Sequence, residues 1–188
     1  MSADTGRAPQ AGGAACPGTA AVLSLGSNLG DRLGYLQLAV TGVGERVLAV
    51  SPVYETEPWG GVEQGDFLNA IVLAHSKTMG AWDWLRLCRS LETEAGRVRD
   101  VRWGPRTLDV DVVAVYRTDG EPVFSDDPEL VLPHPGAAER GTVLRPWLDV
   151  DPDADLPGVG RVDALLAGLG PVGAADMRRC DDQLLVVR

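Results

Sequence analysis

LDVDVVAVY, residues Leu108–Tyr116, alternates apolar and acidic side chains before running on as a β-branched stretch, the pattern of a strand with one dry and one polar face. Working back from it, Ala81–Ala95 places Trp84, Cys88, Leu91 and Ala95 at helical spacing, and Gly96 stands where a C-terminal cap belongs. Before that helix come two strand-like runs, Val47–Tyr54 and Phe67–Ala74, joined by the Pro/Gly-rich link TEPWGGVEQGD. Earlier still, Ala20–Leu25 is a short strand ended by Gly26, and Asp31 precedes a helix marked by Leu33, Leu36, Val40 and Val43. With Leu108–Tyr116 as the closing strand the order is β-α-β-β-α-β. The expected fold class is therefore α+β, ferredoxin-like: an antiparallel sheet with helices on one face and the other face left for a site.

Beyond Tyr116 the pattern weakens into proline-punctuated loops, followed by a short helix at Arg161–Leu169 and a terminal strand in QLLVV. Residues 1–18 are small, Gly/Pro-rich and aperiodic, and read as a disordered extension; residues 19–188 read as a single domain. The formal charge of −10 argues against a surface for nucleic acid or anionic lipid, and favours small-molecule partners. Three cysteines at wide spacing, Cys16, Cys88 and Cys180, suggest neither a disulfide framework nor a zinc site. Without a long apolar run or the pattern of a signal peptide, the expected location is the cytoplasm. A monomer is the expected state.

Arg97, Arg99, Arg102 and Arg106 crowd the ten residues before the strand, against Asp100 alone, in a chain that is otherwise acidic. Guanidinium forks match phosphate oxygens, so the cluster suits an anion-binding loop; a solvated charged loop is the competing explanation. Asp109 and Asp111, at i and i+2, share a strand face and need a counter-ion, or else form the wet face of an edge strand. Hard carboxylate oxygens without neighbouring His or Cys favour magnesium, which draws its remaining ligands from water and substrate phosphate. Together the two features would grip one polyphosphate from two sides, with ATP the obvious candidate. No GxxxxGK[ST] loop exists, and LGSNLGDR lacks its lysine, so GSNLG is read first as a strand-to-helix turn.

RWGPRTLDVDVV resembles the signature of the 6-hydroxymethyl-7,8-dihydropterin pyrophosphokinases. LSLGSNLGDR, SPVYETEPWG, QGDFLNA and LETEAGRVR resemble further segments of that family in the same order, so the likeness spans roughly Val22 to Trp147. The resemblance implies transfer of the β,γ-diphosphate of ATP to the pterin hydroxymethyl group, releasing AMP, on a ferredoxin-like fold with two Mg2+ ions. It implies Asp109 and Asp111 as metal ligands, and Arg97 and Arg106 as phosphate-engaging catalytic residues. Glu92, Arg99, Arg102, His134 and Arg140 fall on ATP-binding positions; His134 taken alone reads as structural. Thr56, Pro58, Trp59, Phe67, Asn69 and Trp103 fall on pterin-binding positions or beside them. The alternation of the strand independently puts Phe67 and Asn69 on one face, an aromatic platform beside an amide, although ordinary sheet packing would do the same.

The implied mechanism is in-line attack of the pterin hydroxyl on the β-phosphorus, with catalysis resting on positioning and charge stabilisation. Gly60–Gly65 and Gly96–Gly104 read as lids over it. One departure stands out: where the family places a second pterin-stacking Phe, this chain has Thr142. Either Trp59 or Trp103 covers the exposed ring face, or pterin binding is weaker by about 1 kcal/mol. Two alternatives stand beside this reading, a catalytically weak homologue and a ferredoxin-like nucleic-acid-binding module.

Overall fold

The structure, a computed structural model, describes residues 18–58, 64–97, 104–170 and 177–187. The expected N-terminal extension, Trp59, Arg99, Arg102, Trp103 and most of both proposed lids lie outside the described residues. An antiparallel sheet is built from β1 (Thr19–Ser27), β2 (Val47–Val50), β3 (Val53–Thr56), β4 (Phe67–Ser76), β5 (Asp109–Arg117) and β10 (Arg178–Cys180). Its order is β10-β3-β4-β1-β5, with β2 also pairing β4. Thus β1 and β4, the central pair, carry the longest ladder, and β5 lies outside β1.

Val47–Tyr54 is expected to be one strand, but Pro52 divides it into β2 and β3 because proline offers no N–H to the ladder. Ser51 bridges the gap: its backbone N–H donates to Ile71 O at 2.9 Å, and its hydroxyl accepts from Ile71 N at 2.9 Å.

Two helices cover one face. In α1 (Arg32–Val43) the Asp31 carboxylate accepts from Gly34 N, capping the first turn, and Leu36, Ala39, Val40 and Val43 are buried. In α2 (Ala81–Glu94) Trp84, Cys88 and Leu91 are buried against the sheet, as their spacing predicts. Val110 and Val112 of β5 enter this same core beside Leu23 and Leu25 of β1. Each such side chain contributes about 1.5–3 kcal/mol of transfer free energy. After α2, Gly96 takes φ +67, and Gly96 N and Arg97 N return to the carbonyls of Thr93 and Glu92 at 3.0 Å each. This cap turns the chain so that Arg97 comes back alongside Glu92.

The opposite face is not left bare, which corrects the expectation of helices on one face alone. The chain after β5 forms β6 (Ser125–Asp127) and β7 (Leu130–Leu132), then α3 (Gly141–Val150), β8 (Asp155–Leu156), β9 (Gly160–Arg161) and α4 (Val162–Gly168). Val143, Leu144 and Trp147 of α3 pack with Val22, Ile71 and Val113 into a second core. Pro146 masks α3 in the sequence, yet it is accommodated, at the cost of one intrahelical donor. QLLVV is a further correction. It forms no strand: its Val186 exchanges two hydrogen bonds with the Gln37 amide, and the strand at this end is instead Arg178–Cys180 on the edge of β3. Among the described residues no helix is long and apolar enough to cross a membrane.

Candidate functional site

The second face is divided between packing and an opening. Along one rung of the sheet, Asp109 lies opposite Gly26, Gly26 opposite Asn69, and Asn69 opposite Tyr54. On the next rung towards the second core, Asp111 lies opposite Ser24 and Ser24 opposite Ile71. Gly26, Asn69 and Asp109 of the first rung, Ser24 and Asp111 of the next, and Phe67 at the outer end of β4 border a cavity of about 310 Å³ that Thr56, Arg106 and Arg140 also help line. Leaving aside Ser24 and Gly26 and adding Thr142, which also lines it, eight residues singled out from the sequence therefore meet in one place although they are spread along the chain from Thr56 to Thr142.

At one end the charges are tightly organised. Arg97 donates to both Glu92 and Asp109, and Arg106 donates to the other oxygen of Asp109. Glu92, only 6% exposed, also accepts from Val110 N at 3.1 Å, tying this network to the strand. Burial works to raise the Asp109 pKa, but the guanidinium groups of Arg106 and Arg97 outweigh it and hold the carboxyl below its ordinary range. Asp111 is the opposite case: burial and the neighbouring Asp109 charge push its pKa up, with His134 and Arg140 opposing. Its nearest partners, Arg140 at 3.6 Å and His134 Nε2 at 3.8 Å, stand beyond hydrogen-bond distance.

His134 is set by Val113, whose carbonyl accepts its backbone N–H at 2.8 Å. Its Nδ1 accepts from Gly136 N at 3.2 Å, leaving Nε2 to carry the proton that faces Asp111. A Cβ at Gly136 would sit 3.2 Å from the Arg140 guanidinium, which would have to shift by a few tenths of an ångström to admit it.

The chemistry of the donor set suits a hard divalent cation. Two carboxylates project from one strand face, and one of them, Asp111, is without a close donor among the described residues. Among the described residues no group of three His, Cys, Asp or Glu forms a complete metal cage, so such an ion would draw most of its ligands from water or a bound oxyanion.

The other end of the cavity is aromatic and amide-lined. The Asn69 amide donates to Thr56 Oγ at 2.9 Å and lies 3.5 Å from Tyr54 O. The Phe67 ring carries the Arg106 guanidinium at 5.4 Å from its centroid, linking the two ends. Thr142 and Val143 from the first turn of α3 form the wall. Pro58 is among the described residues but is not part of the lining; Glu92, Arg97 and His134 stand behind it, Arg97 paired with Glu92 and Asp109 and His134 facing Asp111.

Several contributors escaped the sequence reading. Ser24 and Gly26 floor the cavity, and their small size at i and i+2 in an apolar strand was the available signal. Asn28 is 7% exposed and staples three segments: it donates to Gln64 Oε1 at 2.9 Å and Gly65 O at 3.1 Å, and accepts from Arg106 N at 2.8 Å. GSNLG is thus both the turn it looked like and a brace for the site. Glu57, Gln64 and Glu139 also line the cavity, and nothing in their local sequence marked them.

Residues 22–152 match the family model described as 7,8-dihydro-6-hydroxymethylpterin-pyrophosphokinase (HPPK). The 2-amino-4-hydroxy-6-hydroxymethyldihydropteridine pyrophosphokinase of Mycobacterium leprae is 51% identical over 168 residues, covering 85% of this chain and 88% of that protein. The protein of the same name from Mycobacterium tuberculosis is 48% identical over 167 residues, covering 85% and 89%. Among solved structures, wild-type Plasmodium falciparum HPPK-DHPS with SDX-DHP superposes with a TM-score of 0.62 at 14% identity, over 86% of this chain. The match spans 48% of that longer chain, and the likeness is one of fold. With more than two thirds of its length matched by the family model, and about half its residues identical to the mycobacterial proteins over most of both chains, this chain belongs to the 7,8-dihydro-6-hydroxymethylpterin-pyrophosphokinase family.

Proposed function

We propose that the cavity transfers the β,γ-diphosphate of ATP to 6-hydroxymethyl-7,8-dihydropterin, releasing AMP, as a step of folate biosynthesis. The observation that carries this is the pairing, in one cavity, of a carboxylate and guanidinium end with an aromatic and amide end. A polyphosphate suits the first, and a flat heterocycle with hydrogen-bonding edges suits the second. The connectivity supports a split β-α-β-β-α-β, ferredoxin-like reading in which β2 and β3 count as one interrupted strand. Residues 19–188 then act as one domain, cytoplasmic and monomeric, with no nucleic-acid partner, in keeping with the net charge of −10.

Asp109 and Asp111 would hold Mg2+, two ions in this reading, and the metal when bound neutralises polyphosphate charge. Arg97 and Arg106, both paired with Asp109, stabilise charge developing on the transferring group, Arg106 from the lining and Arg97 from behind it. Glu92 orients Arg97, while Arg140 and His134 attend the nucleotide from the Asp111 side. Thr56, Phe67 and Asn69 receive the pterin, with Pro58 at the margin. For Trp59, Arg99, Arg102 and Trp103 the family resemblance alone supplies the assignment. The hydroxymethyl oxygen forms its bond to the β-phosphorus as the bridge to the α-phosphate breaks, AMP leaves, and the hydroxyl proton is released.

The test is nucleotide analysis after incubation with ATP, Mg2+ and the pterin. AMP in step with pterin diphosphate is expected; ADP or unchanged ATP would overturn the assignment. Asp111→Asn is the cleaner metal probe because no close hydrogen bond among the described residues is lost with it. It should abolish AMP formation while the protein stays folded, and turnover like that of the unaltered protein would remove Asp111 from the metal site.

A further inference from the structure

Tyr54 is 4% exposed, yet its hydroxyl is used outside the sheet. It donates to Asp149 Oδ2 at 2.6 Å and lies 3.4 Å from Arg145 Nε. Arg145 in turn donates to Asp149 Oδ1 at 3.0 Å, closing a three-membered cluster between β3 and α3. Arg145 and Asp149 follow Thr142 along α3 by 3 and 7 positions, so all three fall on one stripe of the helix, and its Thr142 end is cavity wall. On the sheet side Tyr54 is the cross-strand partner of Asn69, which bonds back to the Tyr54 carbonyl and to Thr56. Beside the apolar packing of Val143, Leu144 and Trp147 on the sheet, floor and wall of the aromatic end of the cavity are therefore joined by a polar link through one phenol. Burial, partly opposed by Arg145, raises the Tyr54 pKa, so the hydroxyl keeps its proton at neutral pH.

We propose that Tyr54, acting through Asp149 and Arg145, is a positioning residue for the pterin, setting the width of the slot between the β3–β4 floor and the α3 wall. This rests on the pterin assignment made above. A flat ring gains its contacts only when both surfaces lie at the right separation, and a wall free to shift must be ordered again by each binding event. The Asp109 network with Arg97 and Arg106 stands across Gly26 on β5 and takes none of its bonds from this fastening.

The test is equilibrium binding of 6-hydroxymethylpterin to the full chain, with Mg2+ and a non-hydrolysable ATP analogue present, and of the analogue alone. Tyr54→Phe keeps the ring and removes only the hydroxyl. It is expected to raise the pterin dissociation constant about tenfold, equivalent to about 1.4 kcal/mol, with analogue affinity held within about twofold. In turnover the pterin KM rises while kcat at saturation is kept. Asp149→Asn, which keeps an acceptor for the phenol, is expected to give a smaller change in the same direction. Tyr116→Phe serves as the comparison, since it removes a hydroxyl that donates to Asp155 O at 2.8 Å outside the cavity, and should leave pterin binding unchanged. Pterin affinity of Tyr54→Phe within twofold of the unaltered protein overturns the proposal. So does an equal fall in pterin and nucleotide affinity, or an equal fall in Tyr116→Phe, since each marks general loosening. If the unaltered protein binds nucleotide but no pterin, the assignment beneath the proposal fails and the proposal goes with it.

Discussion

Replacing Asn28 by Ala removes a side chain that joins the β1–α1 turn, the segment before β4 and the segment before β5. Its three hydrogen bonds are not equal. Gly65 is exposed and Gln64 half-buried, so after substitution water can serve both acceptors, and each bond lost is worth about 0.5 kcal/mol. The Arg106 N–H is different: it lies against the site in a part-buried contact, and leaving it without its acceptor costs about 1.5 kcal/mol. The expected loss is therefore about 2.5 kcal/mol, or a fall in Tm of about 5–10 °C for a chain of this size. Urea unfolding supplies the stability, and steady-state AMP formation supplies the functional consequence. Because Arg106 is displaced along with its backbone, kcat should fall by more than the pterin KM rises. Asn28→Asp keeps the acceptor for Arg106 N but turns both donors into a carboxylate facing the Gly65 carbonyl, so its stability should lie between the two. An Ala variant within about 0.5 kcal/mol of the unaltered protein, with kcat intact, would falsify the bracing role.

Further outcomes follow from other parts of the molecule. Glu55 is held below its ordinary pKa, first by Arg178 and then by Arg32, against the effect of burial. Its contribution is present above the unfolded glutamate pKa and is lost as pH falls through the lower folded value, so the gap in urea midpoint between the unaltered protein and Glu55→Gln should close over that acid range. Thr142→Phe adds a ring to the cavity wall opposite the amide and should tighten pterin binding about fivefold, measured by fluorescence titration; weaker binding would mean that the slot is already closed by another group. The Trp147 indole N–H is buried without a partner among the described residues, so Trp147→Phe forfeits no hydrogen bond. Thermal unfolding should then show a loss below about 2 kcal/mol, against about 3–5 for truncation to Ala.

Local chemistry made the first part of the fold legible. Asp31 caps α1, Gly96 turns the chain after α2, and the apolar spacing of both helices matches their buried faces, because each of these features is decided within a few residues. Pro52 could have been read as an interruption, since its missing N–H is visible in the sequence; the Ser51 hydroxyl that repairs the ladder is not, because its partner Ile71 is twenty residues away. The second half of the chain was harder for a physical reason. Pro146 lies within α3, and the helix is held by packing against Val22, Ile71 and Val113 rather than by its own propensity. At the site, alternation alone put Asp109 with Asp111 and Phe67 with Asn69. What it could not supply was the rung that sets Asp109 and Asn69 on either side of Gly26, nor the brace at Asn28, since both depend on register between distant strands.

The division of one sheet face between an opening and a core leaves a border only one side chain thick. On β4 the inward sequence on that face is Phe67, Asn69, Ile71 and Leu73, and the change from chamber to interior falls between the second and third of them. Ile71 is thus a plug as well as a packing residue, with the first turns of α3 behind it. Shortening it to Val or Ala would move the border inward and deepen the chamber from its floor, at about 0.5–1.5 and 2–5 kcal/mol respectively. A pocket of this construction can change its depth by single substitutions that leave every ligand-contacting residue in place, so the range of ring systems it admits is adjustable from within the core.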